Sequence, residues 1–141
     1  MTARTAPLVL ALVGLIGLFL ASACSPAPAP AVGTVTSVAA TVPGSDSGLP
    51  VRPLSDLPAQ AADTVRAIRR GGPFPSSRDG IVFGNREGLL PAQRSGYYRE
   101  YTVPTPGSSD RGARRIVTGS QGEYYYSNDH YGSFVVVDVS R

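Results

Sequence analysis

Lysine is absent from the 141 residues, cysteine and histidine occur once each, and no apolar run is long enough to cross a bilayer with ease. The single cysteine, Cys24, leaves the chain without an internal disulfide, so its stability has to come from a packed core. The apolar run from Leu8 to Leu20 is thirteen residues long, against about 20 for a spanning helix. Every basic side chain is an arginine, and arginine grips phosphate in a planar two-pronged geometry that lysine lacks. The lone histidine, His130 in NDHYGSF, selects no chemistry by itself; it needs partners.

What is present divides the chain into three parts. Residues 1–23 carry one arginine, the apolar run and then small residues, the pattern of a secretory signal peptide. Two readings of its end are open. LASAC resembles a lipobox, which would place a lipid on Cys24, although Ala21 stands where leucine is commoner; the alternative is ordinary signal-peptidase cleavage after Ala23. Either way the protein is expected to be exported, secreted or anchored to the outer face of the cytoplasmic membrane, with Cys24 its only link to that membrane. Residues 24–51 are rich in Ala, Pro, Ser, Thr and Val, with Asp46 their only charge, and read as a disordered linker. With lipid on Cys24 this would be a tether of about 25 residues reaching up to about 80 Å at roughly 3.1 Å per residue. A propeptide removed on export is the competing account.

Residues 52–141 form one small domain, with 12 arginines against 9 acidic side chains and all seven tyrosines. In LPAQAADTVRAIRRGGPFP, Ala61, Val65 and Ile68 recur at helical spacing, Pro58 suits a first turn, and Gly71-Gly72-Pro73 stops the run. The pattern then changes to period two in IVFGN, YYREYTV, ARRIVTG, EYYYS and SFVVVDV, which read as four or five antiparallel strands. The expected fold is α+β: one N-terminal helix packed on a small antiparallel β-sheet, leaving the other face of the sheet for a site.

Candidate chemistry lies in four stretches. Alternation in YYREYTV puts Tyr98, Glu100 and Thr102 on one face and Tyr97, Arg99 and Tyr101 on the other. A carboxylate in mid-strand among aromatics is costly unless paired, and Glu100 is either half of a cross-strand ion pair or a catalytic group. In SSDRGARRIVTG, Arg111, Arg114 and Arg115 fall within five residues; the adjacent pair must point to opposite faces, and the residues alone leave open which points inward. FGNREG, residues 83–88, reads as a ligand loop or a plain Asx-type turn. Gly84 and Gly88 admit unusual dihedrals, Asn85 tolerates the left-handed region, and Glu87 can accept two N–H donors of a guanine edge.

GGPFPSSRDGIVFGNREGLLP, GYYREYTVPTPG, RGARRIVTG and YYYSNDHYGSF, in this order, resemble the extracellular guanyl-preferring ribonucleases of the barnase-like microbial ribonuclease family, most closely its streptomycete type, over about residues 54–138. The resemblance implies a general base at Glu100, a general acid at His130, and phosphate-binding arginines at Arg86, Arg111 and Arg115. It implies a site tyrosine at Tyr131 and a guanine-binding segment from Phe83 through Gly84, Asn85 and Arg86 to Glu87. It thereby selects Arg115 over Arg114. The implied activity is endonucleolytic cleavage of single-stranded RNA 3′ to guanosine, by transesterification to a 2′,3′-cyclic phosphate and its hydrolysis, with no cofactor or metal. A carboxylate (about 4.3 in peptides) and an imidazole (about 6.5) suit a base and an acid near neutrality. A monomer and a barstar-like protein inhibitor are the expected assembly and partner. The alternatives are an inactive RNA- or protein-binding module on the same fold, disfavoured because none of the catalytic residue types is lost, and a toxin with the same chemistry. Two departures stand out. The streptomycete type has a disulfide between cysteines near position 53 and the C-terminus, where this chain has Pro53 and Arg141, and Gly84 replaces a residue that is often glutamine.

Overall fold

The computed structural model describes residues 41–141; the signal segment, Cys24 and the linker up to residue 40 lie outside the described residues. Helix α1 spans Ala59–Arg70 and buries Ala61 and Val65 of the expected stripe together with Thr64 and Ala67, while Ile68 is partly buried against the same cluster. Its last carbonyls are closed by Gly71, which adopts φ 76, and by Gly72, whose N–H donates to Ala67 O at 2.9 Å. A left-handed turn of this kind costs glycine nothing because it has no Cβ.

Six strands follow the order β1-β6-β5-β4-β3-β2: β1 Val51–Pro53, β2 Ile81–Phe83, β3 Tyr98–Thr102, β4 Arg115–Gly119, β5 Tyr124–Ser127 and β6 Val135–Asp138. From β2 to β6 the pairing is antiparallel, as expected. The sheet as a whole is mixed, because β1 pairs parallel with β6, Val51 lying opposite Val136. No strand was expected here, and its first residue, Val51, fell in the expected linker. The folded part also reaches further back, through a 3-10 turn at Ser45–Ser47 that brings Val42 and Leu49 onto the buried cluster. Two isolated apolar residues among Pro, Gly and Ser suffice here because a formed core receives them.

Register assigns the two faces. Tyr101, Ile116, Tyr126 and Val135 align across neighbouring strands, and α1 packs Ala61 and Val65 against that face. Full burial of side chains such as Val65 and Ile116 contributes about 1.5–3 kcal/mol each. On the opposite face Glu100, Val117, Tyr125 and Val136 align. That face is not simply open, for Leu90, Tyr97, Tyr98 and Phe134 join Val117, Tyr125 and Val136 in a second apolar cluster. Tyr97 departs from its expected face because β3 begins only at Tyr98; it stacks edge-on against Tyr98 at 4.9 Å and bonds the buried Glu123 through its hydroxyl. A polar site is therefore confined to the end of the sheet where Glu100, Thr102 and Arg115 lie.

Where the resemblance implied a crosslink, polar contacts hold the termini of the fold together. Pro53 pairs with Asp138 and Ser55 N–H donates to Arg141 O at 3.2 Å, while the Asp138 carboxylate fixes the C-terminal turn itself, accepting from Arg141 Nε at 2.5 Å and Ser140 Oγ at 2.6 Å.

Candidate active site

Glu100 sits in the middle of β3, 7% exposed, with Thr102 beside it on the same face and Arg115 opposite Thr102 on β4. Its Oε2 accepts from the Tyr131 hydroxyl at 2.6 Å, and Arg111 Nη2 stands 3.5 Å from its Oε1. The carboxylate therefore keeps a charged partner and a hydrogen-bond donor, which is what permits a glutamate to remain buried. Burial first, and then the Glu100 carboxylate, push the Tyr131 hydroxyl above the ordinary tyrosine range, so it stays a donor through neutrality.

The adjacent arginines separate as the pleat requires. Arg115 is the inward one, 3% exposed. Its Nε donates to Tyr131 Oη at 3.1 Å and its Nη1 to the carbonyls of Gly112 (2.9 Å), Arg114 (2.8 Å) and Arg111 (3.3 Å). Arg114 lies instead beside Arg52 and Tyr126, away from the site. Arg111 is steered by Thr102, whose hydroxyl accepts from Nε at 3.0 Å and donates to Asp79 Oδ1 at 2.6 Å. Four oppositely charged groups are thus packed around one hydroxyl-rich corner.

Asp79 was not foreseen. Its side chain is 1% exposed, its Oδ1 also accepts from Thr102 N–H at 2.7 Å, and it lies 3.5 Å from Arg111 Nη2. The Arg-Asp-Gly stretch carrying it looks like an ordinary turn; the usable signal was Thr102, two residues from Glu100 on the same face, which needs a polar partner when buried.

His130 and Tyr131 lie on the loop between β5 and β6, both with left-handed backbone, φ 58 and φ 71. Non-glycine residues there are strained by about 1–3 kcal/mol each, and such strain persists only where surrounding contacts enforce it. Those contacts are His130 N–H to Ala113 O at 3.1 Å and Tyr131 N–H to Ser127 Oγ at 2.9 Å. The imidazole is exposed, 5.1 Å from the Tyr131 ring between centroids.

The 83–87 loop reaches the cluster through Phe83, which stacks on Tyr131 at 5.1 Å and 29°. Asn85 has φ 45, as its residue type suggested, and spends its side chain on the loop itself: Nδ2 donates to Leu90 O at 2.8 Å and Oδ1 accepts from Leu90 N–H at 3.0 Å. Arg86 and Glu87 are exposed on the loop and are not brought against Glu100. Gly88 takes φ 65, but Gly84 does not use the left-handed region, and a Cβ there would meet only the Arg86 side chain at 3.7 Å. Its expected conformational role is absent. Glu100, Arg111, Arg115 and Tyr131 therefore form one bonded group, with His130 and Phe83 flanking it and Arg86 and Glu87 at the rim.

Residues 41–138 match a family model described as ribonuclease. A guanyl-specific ribonuclease St of Saccharopolyspora erythraea is 56% identical over 69% of this chain and 96% of its own length. Guanyl-specific ribonuclease Sa of Kitasatospora aureofaciens is 56% identical over 60% of this chain and 90% of its own. Guanyl-specific ribonuclease Sa3 of the same organism is 64% identical over 61% of this chain; the match spans only 62% of that relative. Among solved structures, ribonuclease Sa2 with guanosine-2′-cyclophosphate aligns with a TM-score of 0.61 at 52% identity, covering 64% of this chain and 96% of that one. Ribonuclease Sa2 in complexes with mononucleotides aligns at 0.65 and 52%, covering 66% of this chain and 97% of that one.

Proposed function

The chain belongs to the ribonuclease family, and from that premise we propose that it cleaves single-stranded RNA 3′ to guanosine without a metal. Glu100 takes the proton of the ribose 2′-hydroxyl as its oxygen attacks the adjacent phosphorus. The bond from phosphorus to the 5′-oxygen breaks, and His130 delivers a proton to that oxygen. The product is a 2′,3′-cyclic phosphate; water then opens it with the roles reversed, leaving a 3′-phosphate. Arg111 and Arg115 face the charge that grows on the phosphoryl oxygens, and Arg86 reaches the same phosphate from the rim. Preorganised guanidinium groups supply the positive charge that this step needs.

The observation that carries this reading is Glu100: a buried carboxylate held by Tyr131 on one oxygen and Arg111 near the other, with Arg115 beside it. A merely structural ion pair needs no exposed histidine on an adjacent strained loop. Guanine recognition is assigned to Phe83–Glu87, with the N–H groups of Asn85 and Arg86 as donors and the Glu87 carboxylate as acceptor for two guanine N–H groups. The relatives' names and the guanosine nucleotide bound by ribonuclease Sa2 support guanine as the base recognised. Export, with Cys24 carrying a lipid, belongs to the same proposal; cell fractionation with Cys24→Ser tests it, and wild-type protein found only in the medium contradicts the anchor.

The test is the rate on four dinucleoside monophosphates, GpC, ApC, UpC and CpC, in EDTA. GpC should be cleaved far faster than the others, and Glu87→Ala should reduce that preference more than it slows the other three. A site that hydrogen-bonds a base edge rejects the wrong base because its own groups are left unpaired. Equal rates on all four, or a strict metal requirement, contradict the reading.

A further inference from the structure

We propose that Asp129 is the positioning residue that holds the general acid His130 in place, acting through the loop and not on the substrate. This deepens the function proposed above and rests on it. Asp129 precedes His130, and its carboxylate knots the loop: Oδ1 accepts from Ser127 Oγ at 2.9 Å and Ser133 N–H at 3.0 Å, and Oδ2 from Ser133 Oγ at 2.6 Å. Ser127, 1% exposed at the end of β5, in turn accepts the Tyr131 N–H at 2.9 Å. One carboxylate thus joins the end of β5 to Ser133, across the two residues whose backbones are left-handed. Without that tie Ser127 and Ser133 are no longer joined, and the contacts left to oppose relaxation of φ at His130, which would swing the imidazole away, are its own N–H to Ala113 O and those of Tyr131 to Ser127 Oγ and Glu100. The Ser133 hydroxyl first, and then Ser127, hold the carboxyl below the usual aspartate range, so the acceptor is ionised throughout the neutral range. Tyr131 is anchored a second time by its hydroxyl on Glu100, whereas His130 has only its own N–H to Ala113 O. Loss of Asp129 therefore falls on the acid more than on the base.

General-acid work can be isolated by the leaving group. The 5′-oxygen of GpC needs a proton as it departs; the p-nitrophenolate of guanosine 3′-(p-nitrophenyl phosphate) does not. Asp129→Ala should slow GpC about 10- to 100-fold, a part of the 10²–10⁴ that a general acid contributes, while the nitrophenyl ester stays within about threefold of wild type. His130→Ala sets the benchmark for that selectivity. Asp129→Asn keeps an oxygen for Ser127 and Ser133 N–H and should recover most of the GpC rate. Equal losses on both esters in Asp129→Ala, with selective loss in His130→Ala, overturn the positioning role alone. No selectivity in His130→Ala overturns the acid assignment beneath it. An Asn variant no better than Ala replaces the proposed hydrogen-bonded tie with an effect of charge and so also overturns it.

Discussion

Removing one oxygen from Tyr131 separates its two jobs. In Tyr131→Phe the ring keeps its stacking on Phe83, but the donor to Glu100 at 2.6 Å and the acceptor for Arg115 Nε at 3.1 Å are both lost. A hydrogen bond to a charged group is worth about 1.5–3 kcal/mol. The two losses should not add in full, because Glu100 and Arg115 are opposite charges on facing strands and close part of the gap, so about 2 kcal/mol is expected. For a domain near 100 residues this lowers Tm by about 8–16 °C. The freed carboxylate also loses its orientation, and kcat/KM on GpC should fall about 10- to 100-fold, equivalent to about 1.4–2.8 kcal/mol of transition-state stabilisation. Thermal unfolding and initial rates on the same preparation read both effects. A variant with wild-type Tm and wild-type rate would refute the placement of that hydroxyl between base and arginine.

Two further outcomes follow from buried carboxylates. Asp79→Ala leaves Arg111 beside an emptied, 1% exposed position and takes two acceptor contacts from Thr102, so it should cost about 3–5 kcal/mol in denaturant unfolding; a loss under about 1 kcal/mol contradicts the arrangement. Asp138 is held down to about 2 by the Ser140 hydroxyl first and then by Arg141. Because its folded pKa is depressed, its contribution is complete above the unfolded value of about 3.9 and is lost as pH falls toward 2. The Tm gap between wild type and Asp138→Asn should accordingly be widest near neutrality and close between about pH 4 and pH 2; a gap independent of pH argues against an ionised Asp138 holding Ser140 and Arg141.

Local pattern carried most of this molecule. The helix announced itself through Ala61, Val65 and the Gly71-Gly72 stop, and the face of Glu100 through strict alternation in β3. What was not legible depends on partners distant in sequence. Strand β1 is three residues ending in proline, with no alternation to show, and exists because β6 offers it a parallel edge. Val42 and Leu49 look like linker until the cluster they cover is formed. The choice between Arg114 and Arg115 is a matter of sheet register, which fixes Arg115 opposite Thr102 and could not be read from two adjacent identical residues. Asp79 and Asp129 both lie in turn-like stretches, where aspartate is commonplace, and only the hydroxyls and N–H groups gathered on them reveal that they serve the site.

The central claim, an attack by the 2′-oxygen with Glu100 as base, is tested most directly by following GpC in EDTA by phosphorus NMR. Wild-type protein should convert it first to guanosine 2′,3′-cyclic phosphate and then to the 3′-phosphate, while Glu100→Gln, which keeps shape and polarity but cannot take a proton, should accumulate neither at a comparable rate. Direct appearance of a 3′- or 5′-phosphate with no cyclic species, or undiminished turnover in Glu100→Gln, would contradict the account.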